Sequence, residues 1–189
     1  HSADYVSGLL LKLGITDPKK AVDFLVPRML RAVGYLASRD IDKDGLLEQS
    51  HNEDWMDTVL RAGKIVYSQA CWILALKNLS SLLVTTTGKQ TESDRIRRMA
   101  EKAIDAVEQI LWSEKDGAYI DIQETHHIGG PYRTLTQDVS LYLVAISENS
   151  ARENLTNNRE QGLPREKTGD LNLHRANRTF DALKNRVWK

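Results

Sequence analysis

Along most of the chain, apolar residues recur at three- and four-residue spacings, the pattern of helices with one buried face. The clearest case is Val22, Leu25, Val26, Met29, Leu30, Val33 and Leu36, a single stripe behind Asp17-Pro18. Asp at the N-cap and Pro at the first helical position start a helix: the carboxylate accepts a free backbone N–H, and Pro has none to leave unpaired. Pro27 falls inside the stripe and is expected to kink this helix or split it at Val26. A shorter helix is expected over Tyr5 to Leu13, stopped by Gly14. From Gly63 to Val84 the apolar residues fall on nearly every side (Ile73, Leu74, Leu76, Leu79, Leu82, Leu83), so this helix is expected to be packed all round. Ser93 and Asp94 open another helix, with Ile96, Met99, Ala103, Ile104, Val107, Ile110 and Leu111 as its stripe. Thr136 to Ser147 predicts a short apolar helix and His174 to Trp188 a final one, while Tyr119 to Ile122 alternates as a short strand would. Residues 148–173 are polar and read as a long mobile loop. The pattern predicts one all-α domain over residues 1–189, built from helical hairpins.

The hairpins repeat. Lys43-Asp44-Gly45-Leu46-Leu47 recurs as Lys115-Asp116-Gly117-Ala118-Tyr119. Each copy follows an amphipathic helix. Trp112 and Trp188 end similar helices at nearly the same offset as that between Asp44 and Asp116. Such a period exceeds that of the common helical solenoids and suits two helices joined by a long loop able to carry a site.

The densest chemistry lies between Asp54 and Trp72, DWMDTVLRAGKIVYSQACW. Carboxylates, cations, a tyrosine and two tryptophans occur together there. Acids that move protons and flat rings on which apolar sugar faces lie are what a carbohydrate cleft needs. A structural reading of the same residues is a helix start capped by Asp57 or Thr58, with Trp72 in the core.

Charge and composition narrow the classes. With 26 basic and 26 acidic residues and no long run of one sign, the chain lacks the positive excess of a nucleic-acid-binding surface. Its apolar stretches read as too short or too interrupted to span a bilayer. The lone Cys71 excludes an internal disulfide framework, fits a reducing, cytoplasmic interior, and is expected to be a small buried side chain. Asp40-x-Asp42-x-Asp44-Gly45 opens like a calcium loop, but His51 stands where the bidentate Glu belongs, which favours a plain acidic turn. His126-His127 has no Cys or Glu pattern to complete a metal site. No nucleophile elbow or phosphate loop is present. No metal or cofactor is expected.

Three stretches together carry a resemblance. Asp42-x-Asp44-Gly45-Leu46 is followed by Asp54-Trp55-Met56-Asp57 and by Gly63-Lys64-x-Val66-Tyr67-x-Gln69-Ala70-x-Trp72-x-x-Ala75-Leu76. The second unit repeats the theme with Leu111-Trp112, Asp116-Gly117-x-Tyr119-x-Asp121 and Gln137-Asp138. Over residues 20–147 and 174–189 the chain resembles the glycogen-debranching (amylo-α-1,6-glucosidase) family of glycoside hydrolases. The resemblance implies an (α/α)6 barrel-type toroid, of which this chain holds an incomplete set of hairpins and so reads as part of a longer enzyme.

It further implies an inverting mechanism, in which two carboxyl groups about 6.5–9.5 Å apart flank the glycosidic bond. By position Asp57 becomes the proton donor, and Trp55, Lys64, Tyr67, Gln69 and Trp72 the candidate lining. Helical spacing would put Lys64 and Tyr67 on one face, toward the cleft, with Gln69 and Trp72 rotated away and Trp72 serving packing. The second carboxylate comes, in that family, from a unit beyond this chain. Asp121, Glu124 and Asp138 are near in the second unit, yet none matches it. The expected partner is an oligo- or polysaccharide, with no nucleic acid or membrane. Self-association or a second chain completing the barrel is also expected, because the helices over 63–84 and 136–147 are too apolar to face water. The alternative is a catalytically inactive carbohydrate-binding or helical-repeat interaction module. The unlike, polar, aromatic-rich loops at one end favour a site.

Overall fold

The computed structural model describes residues 2–56, 61–123, 132–156 and 166–187. The all-α expectation holds. The helices are α1 (Ser2–Lys12), α2 (Pro18–Ala37), α3 (Val66–Leu82), α4 (Gln90–Ala106), α5 (Val139–Thr156) and α6 (Glu166–Arg186). At the start of α2 the Asp17 carboxylate accepts the Lys20 N–H at 3.0 Å. Pro27 stays inside α2 without splitting it, and the buried Val26 and Val33 lie on either side. Their packing offsets the single backbone hydrogen bond that a proline removes. α3 and α4 each end in a π-helical turn, Leu83–Thr87 and Val107–Leu111.

Short strands join the loops. β1 (Gly63–Lys64), β4 (Asp121–Gln123) and β5 (Tyr132–Thr134) form an antiparallel sheet in the order β1-β4-β5. β2 (Trp112–Ser113) pairs with β3 (Ala118–Tyr119). The helix expected from Gly63 therefore starts only at Val66. Gly63 has φ +101, which a right-handed helix does not use, and its exchange of backbone hydrogen bonds with Gln49 holds it in the strand pairing instead. Of the loop expected over residues 148–173, residues 148–156 lie in α5 and residues 166–173 in α6, while residues 157–165 lie outside the described residues. Polarity alone predicts a loop there, but Ala151, Arg152, Glu153 and Leu155 are good helix formers whatever their charge.

The repeat is visible in the backbone. The Glu48 N–H donates to the Arg39 carbonyl at 2.9 Å, and at the matching place in the second unit the Ile120 N–H donates to the Leu111 carbonyl at 2.9 Å. The Gln49–Gly63 bridge has its counterpart in the Asp121–Thr134 pair. Gly45 (φ +107) and Gly117 (φ +63) each turn against a basic side chain of a later helix, Lys102 and Arg178. An added Cβ would come within 3.1 Å of Lys102 and 3.3 Å of Arg178. Pairing of β1 with β4 brings the two loops together, so both turns lie at one end of the hairpins.

The core runs along α3, which packs against both α4 and α5. Ile73, Leu76 and Leu83 meet Ile96, Ala100, Ala103, Tyr142, Ala145 and Leu183, all buried. The small Ala100 and Ala103 let α4 approach α3 closely. Against the expectation that no stretch could span a bilayer, Val66–Thr87 is apolar and long enough by length and composition. In the structure 39% of that window is buried: α3 packs in the core with an exposed stripe at Cys71, Ala75 and Asn78, and Val84, Thr85 and Thr86 in the following π-turn are exposed. Cys71 is thus exposed rather than buried, a correction that follows from its place on that stripe.

Candidate functional site

Where the two repeat loops meet, one guanidinium gathers three carboxylates. Arg61, on the segment leading into β1, donates from Nε to Asp54 Oδ2 at 2.7 Å, from Nη1 to Asp121 Oδ2 at 3.4 Å and from Nη2 to Asp138 Oδ2 at 2.6 Å. The side chains of Arg61 and Asp121 are 1% exposed. Asp54 and Asp138 are nearly as buried. Asp54 also accepts Gln49 Nε2 at 2.7 Å and, through Oδ1, the Met56 N–H at 2.9 Å. Asp121 Oδ1 accepts the Val66 N–H at 2.8 Å, the first residue of α3, where the helix dipole favours a negative group.

Three carboxylates share one guanidinium, so the cluster is short of positive charge. Burial pushes the Asp121 carboxyl up to about 6, against the Val66 N–H and Arg61, which act to lower it. At Asp54 burial acts the same way, but hydrogen bonds from Gln49, Arg61 and Met56 outweigh it and leave its pKa lowered. The Tyr67 hydroxyl is pushed up by the neighbouring Cys71 first, then by burial and by the charges of Asp138 and Asp54. Tyr67 therefore sits within the field of the cluster.

Of the residues singled out for a sugar site, Asp57 lies outside the described residues, as do Thr58, Glu124, His126 and His127. Trp55 is 54% exposed and directly follows Asp54, so its indole is open to a ligand. Tyr67 is half-buried on α3. Lys64 and Gln69 are corrected. Lys64 sits on β1, not on a helix, and its ammonium reaches Asp42 Oδ2 and Asp44 Oδ2, each at 2.5 Å, and Glu48 Oε1 at 3.4 Å. Burial works to lower its pKa, yet the bonds from Asp42 and Asp44 outweigh that and raise it. Two ammonium hydrogens are given to Asp42 and Asp44, and Glu48 adds an ion pair. Lys64 thus supplies the positive charge in the acidic loop that begins like a calcium site. Gln69 is fully buried: its Oε1 accepts the Leu47 N–H at 2.9 Å and its Nε2 donates to the Leu47 carbonyl at 2.8 Å. It pairs with the loop backbone as a strand neighbour would, which leaves no polar atom for a substrate. Trp72 is a core residue at 5% exposure.

Sequence reasoning misses Arg61, and it leaves Asp121 and Asp138 without a partner. Those partners are 60 and 77 residues away from Arg61, beyond any local pattern. The signal within reach is the arginine itself, a charged residue between apolar Leu60 and the Gly63 turn. A second buried network ties α4, α5 and α6 together. Glu108 accepts the Tyr119 hydroxyl at 2.7 Å and the Tyr142 hydroxyl at 2.8 Å, and pairs with Arg175 at 2.8 Å. Burial, then Glu108, pushes both hydroxyls up, so both phenols act as neutral donors at physiological pH. A shallow groove lined by Arg39, Ile41, Glu48, Gln49, His51 and Gly63 flanks the first loop. No protein-family model, curated protein or solved structure matches this chain.

Proposed function

We propose that the chain forms the acid-bearing part of a glycoside hydrolase that acts on α-glucosidic linkages, with Asp57 as proton donor and Trp55 as a stacking platform. The observation that carries this reading is the clasp around segment 55–60. A buried Asp54–Arg61 ion pair at 2.7 Å fastens its two ends, and the Trp55 indole stands open beside it. Proton transfer needs an acid placed within a narrow tolerance, and this pair fixes the described residues on either side of the proposed donor. Tyr67 and the half-exposed indole offer the amphipathic faces that sugars stack on. The helical hairpins with both turns at one end suit an (α/α)6 toroid whose site lies at that end. The ligand is an oligo- or polysaccharide.

A second reading has its own support. Asp121 and Asp138 are buried and committed to Arg61, so neither is free to activate water. That favours a module that binds glucan without cleaving it. Asp57→Asn separates the two, since it removes the transferable proton while keeping shape. If Asp57 is the general acid, turnover of an α-1,6-linked glucosyl oligosaccharide by the enzyme that also carries the second carboxylate falls about 10²- to 10⁴-fold, while binding and the thermal midpoint stay as they were. Unchanged turnover in the Asn variant ends the assignment. If Asp57 only caps a helix, the variant instead loses about 1 kcal/mol of stability at most.

A further inference from the structure

We infer that Arg61 is a positioning residue that makes the loops of the two repeats a single ligand-binding element. Its guanidinium touches both. Nε closes the first repeat's loop at Asp54, while Nη1 and Nη2 hold Asp121 on β4 and Asp138 at the threshold of α5, both in the second repeat. Asp121 passes the connection on to the first N–H of α3 at Val66. The start of segment 55–60 and the N-terminal ends of α3 and α5 therefore hang on one planar side chain. Gln49 adds to the same frame, because its amide donates to Asp54 and also to the Arg61 carbonyl at 3.5 Å.

The chemistry requires an arginine. Three acceptors approach from three directions, and only a guanidinium offers donors in one plane at those angles while remaining charged when buried. A lysine ammonium is a point charge and cannot bridge carboxylates on both sides of the joint. The arrangement also explains why so polar a cluster lies under the loop end of an otherwise apolar bundle. A buried charge set is stable only when every member is paired, so loosening one carboxylate frees the others and releases the loop. What binds at Trp55 is accordingly coupled to the second repeat. The identity of that ligand rests on the proposed glucan role; the coupling itself rests on the ion-pair geometry.

The test uses the full chain and two variants, Asp138→Asn and Arg61→Lys, with maltoheptaose as the probe. Backbone hydrogen exchange is followed at positions 54–56 and, as an internal control, at positions 96–106 in α4. Asp138→Asn should speed exchange at 54–56 by at least about tenfold, although it lies in the other repeat, and leave α4 unchanged. Arg61→Lys should do the same. Maltoheptaose should bind each variant about tenfold or more weakly than the native chain. Equal acceleration in both regions, the mark of global unfolding, overturns the inference, as does unchanged exchange at 54–56 in both variants. If the native chain binds no maltoheptaose but the local acceleration is seen, the coupling stands and the glucan reading fails. Should Asp138→Asn not fold, Asp121→Asn is read in the same way.

Discussion

Asp121 gives the structure a pH dependence opposite to that of most buried ion pairs. Its carboxyl is pushed up to about 6 from an ordinary 3.8 because burial outweighs the help of the Val66 N–H and Arg61. A group whose folded pKa is raised holds its proton more tightly in the folded chain. Its stabilisation is therefore fully present below pH 3.8 and is lost as pH rises through about 6. At about 1.36 kcal/mol per pH unit, the gap between the two values corresponds to about 3 kcal/mol. Asp121→Asn removes this titration and keeps an oxygen for the Val66 N–H, but it turns an amide donor toward Arg61. The variant should be less stable than the native chain at pH 4, and the deficit should shrink by about 2.4 kcal/mol by pH 7. Urea unfolding of both chains at half-unit steps from pH 4 to 7.5 measures that difference directly. Taking native minus variant cancels Asp54, whose lowered pKa works in the opposite direction at lower pH. A native-minus-variant difference that stays flat across this range would show that Asp121 does not carry the raised titration.

Two other outcomes follow from the same geometry. Gln69→Ala leaves the buried Leu47 N–H and carbonyl without partners, so it should cost about 1–3 kcal/mol for each orphaned group, read as a drop in urea midpoint. Val84 and Val144, on the two segments expected to be too apolar to face water, are exposed, so the chain should associate with itself or with another chain as concentration rises. Light scattering that reports a clean monomer at high concentration would count against it.

The helices can be read from the chain because each is specified by neighbours within a few turns. The apolar stripe behind Asp17-Pro18 specifies α2. The repeated Lys-Asp-Gly turn carries the same offset as the backbone pairing of Arg39 with Glu48 and Leu111 with Ile120. Sequence reasoning fails where a residue answers to a distant partner. Two-residue β1 has no periodicity of its own, and it forms because Gly63 meets Gln49 and Gln123. Helical spacing points Lys64 toward a cleft, but the groups that hold it are the Asp42, Asp44 and Glu48 carboxylates of the preceding turn. Gln69 is a lining candidate only by its position in the family resemblance. Its complementary partner, the Leu47 backbone, carries no side-chain signal at all. The Arg61 cluster spans both repeats, so only the folded chain assembles it.

A sugar site beside Trp55 is tested most simply by calorimetric titration of the native chain and of Trp55→Ala with maltoheptaose. Binding to the native chain should be saturable, and removing the indole should weaken it by about tenfold, the scale of one stacked ring. The thermal midpoint should be unchanged, because Trp55 is half exposed and lies outside the core. No binding to the native chain, or equal affinity in the two proteins, would mean that this face is not a sugar site.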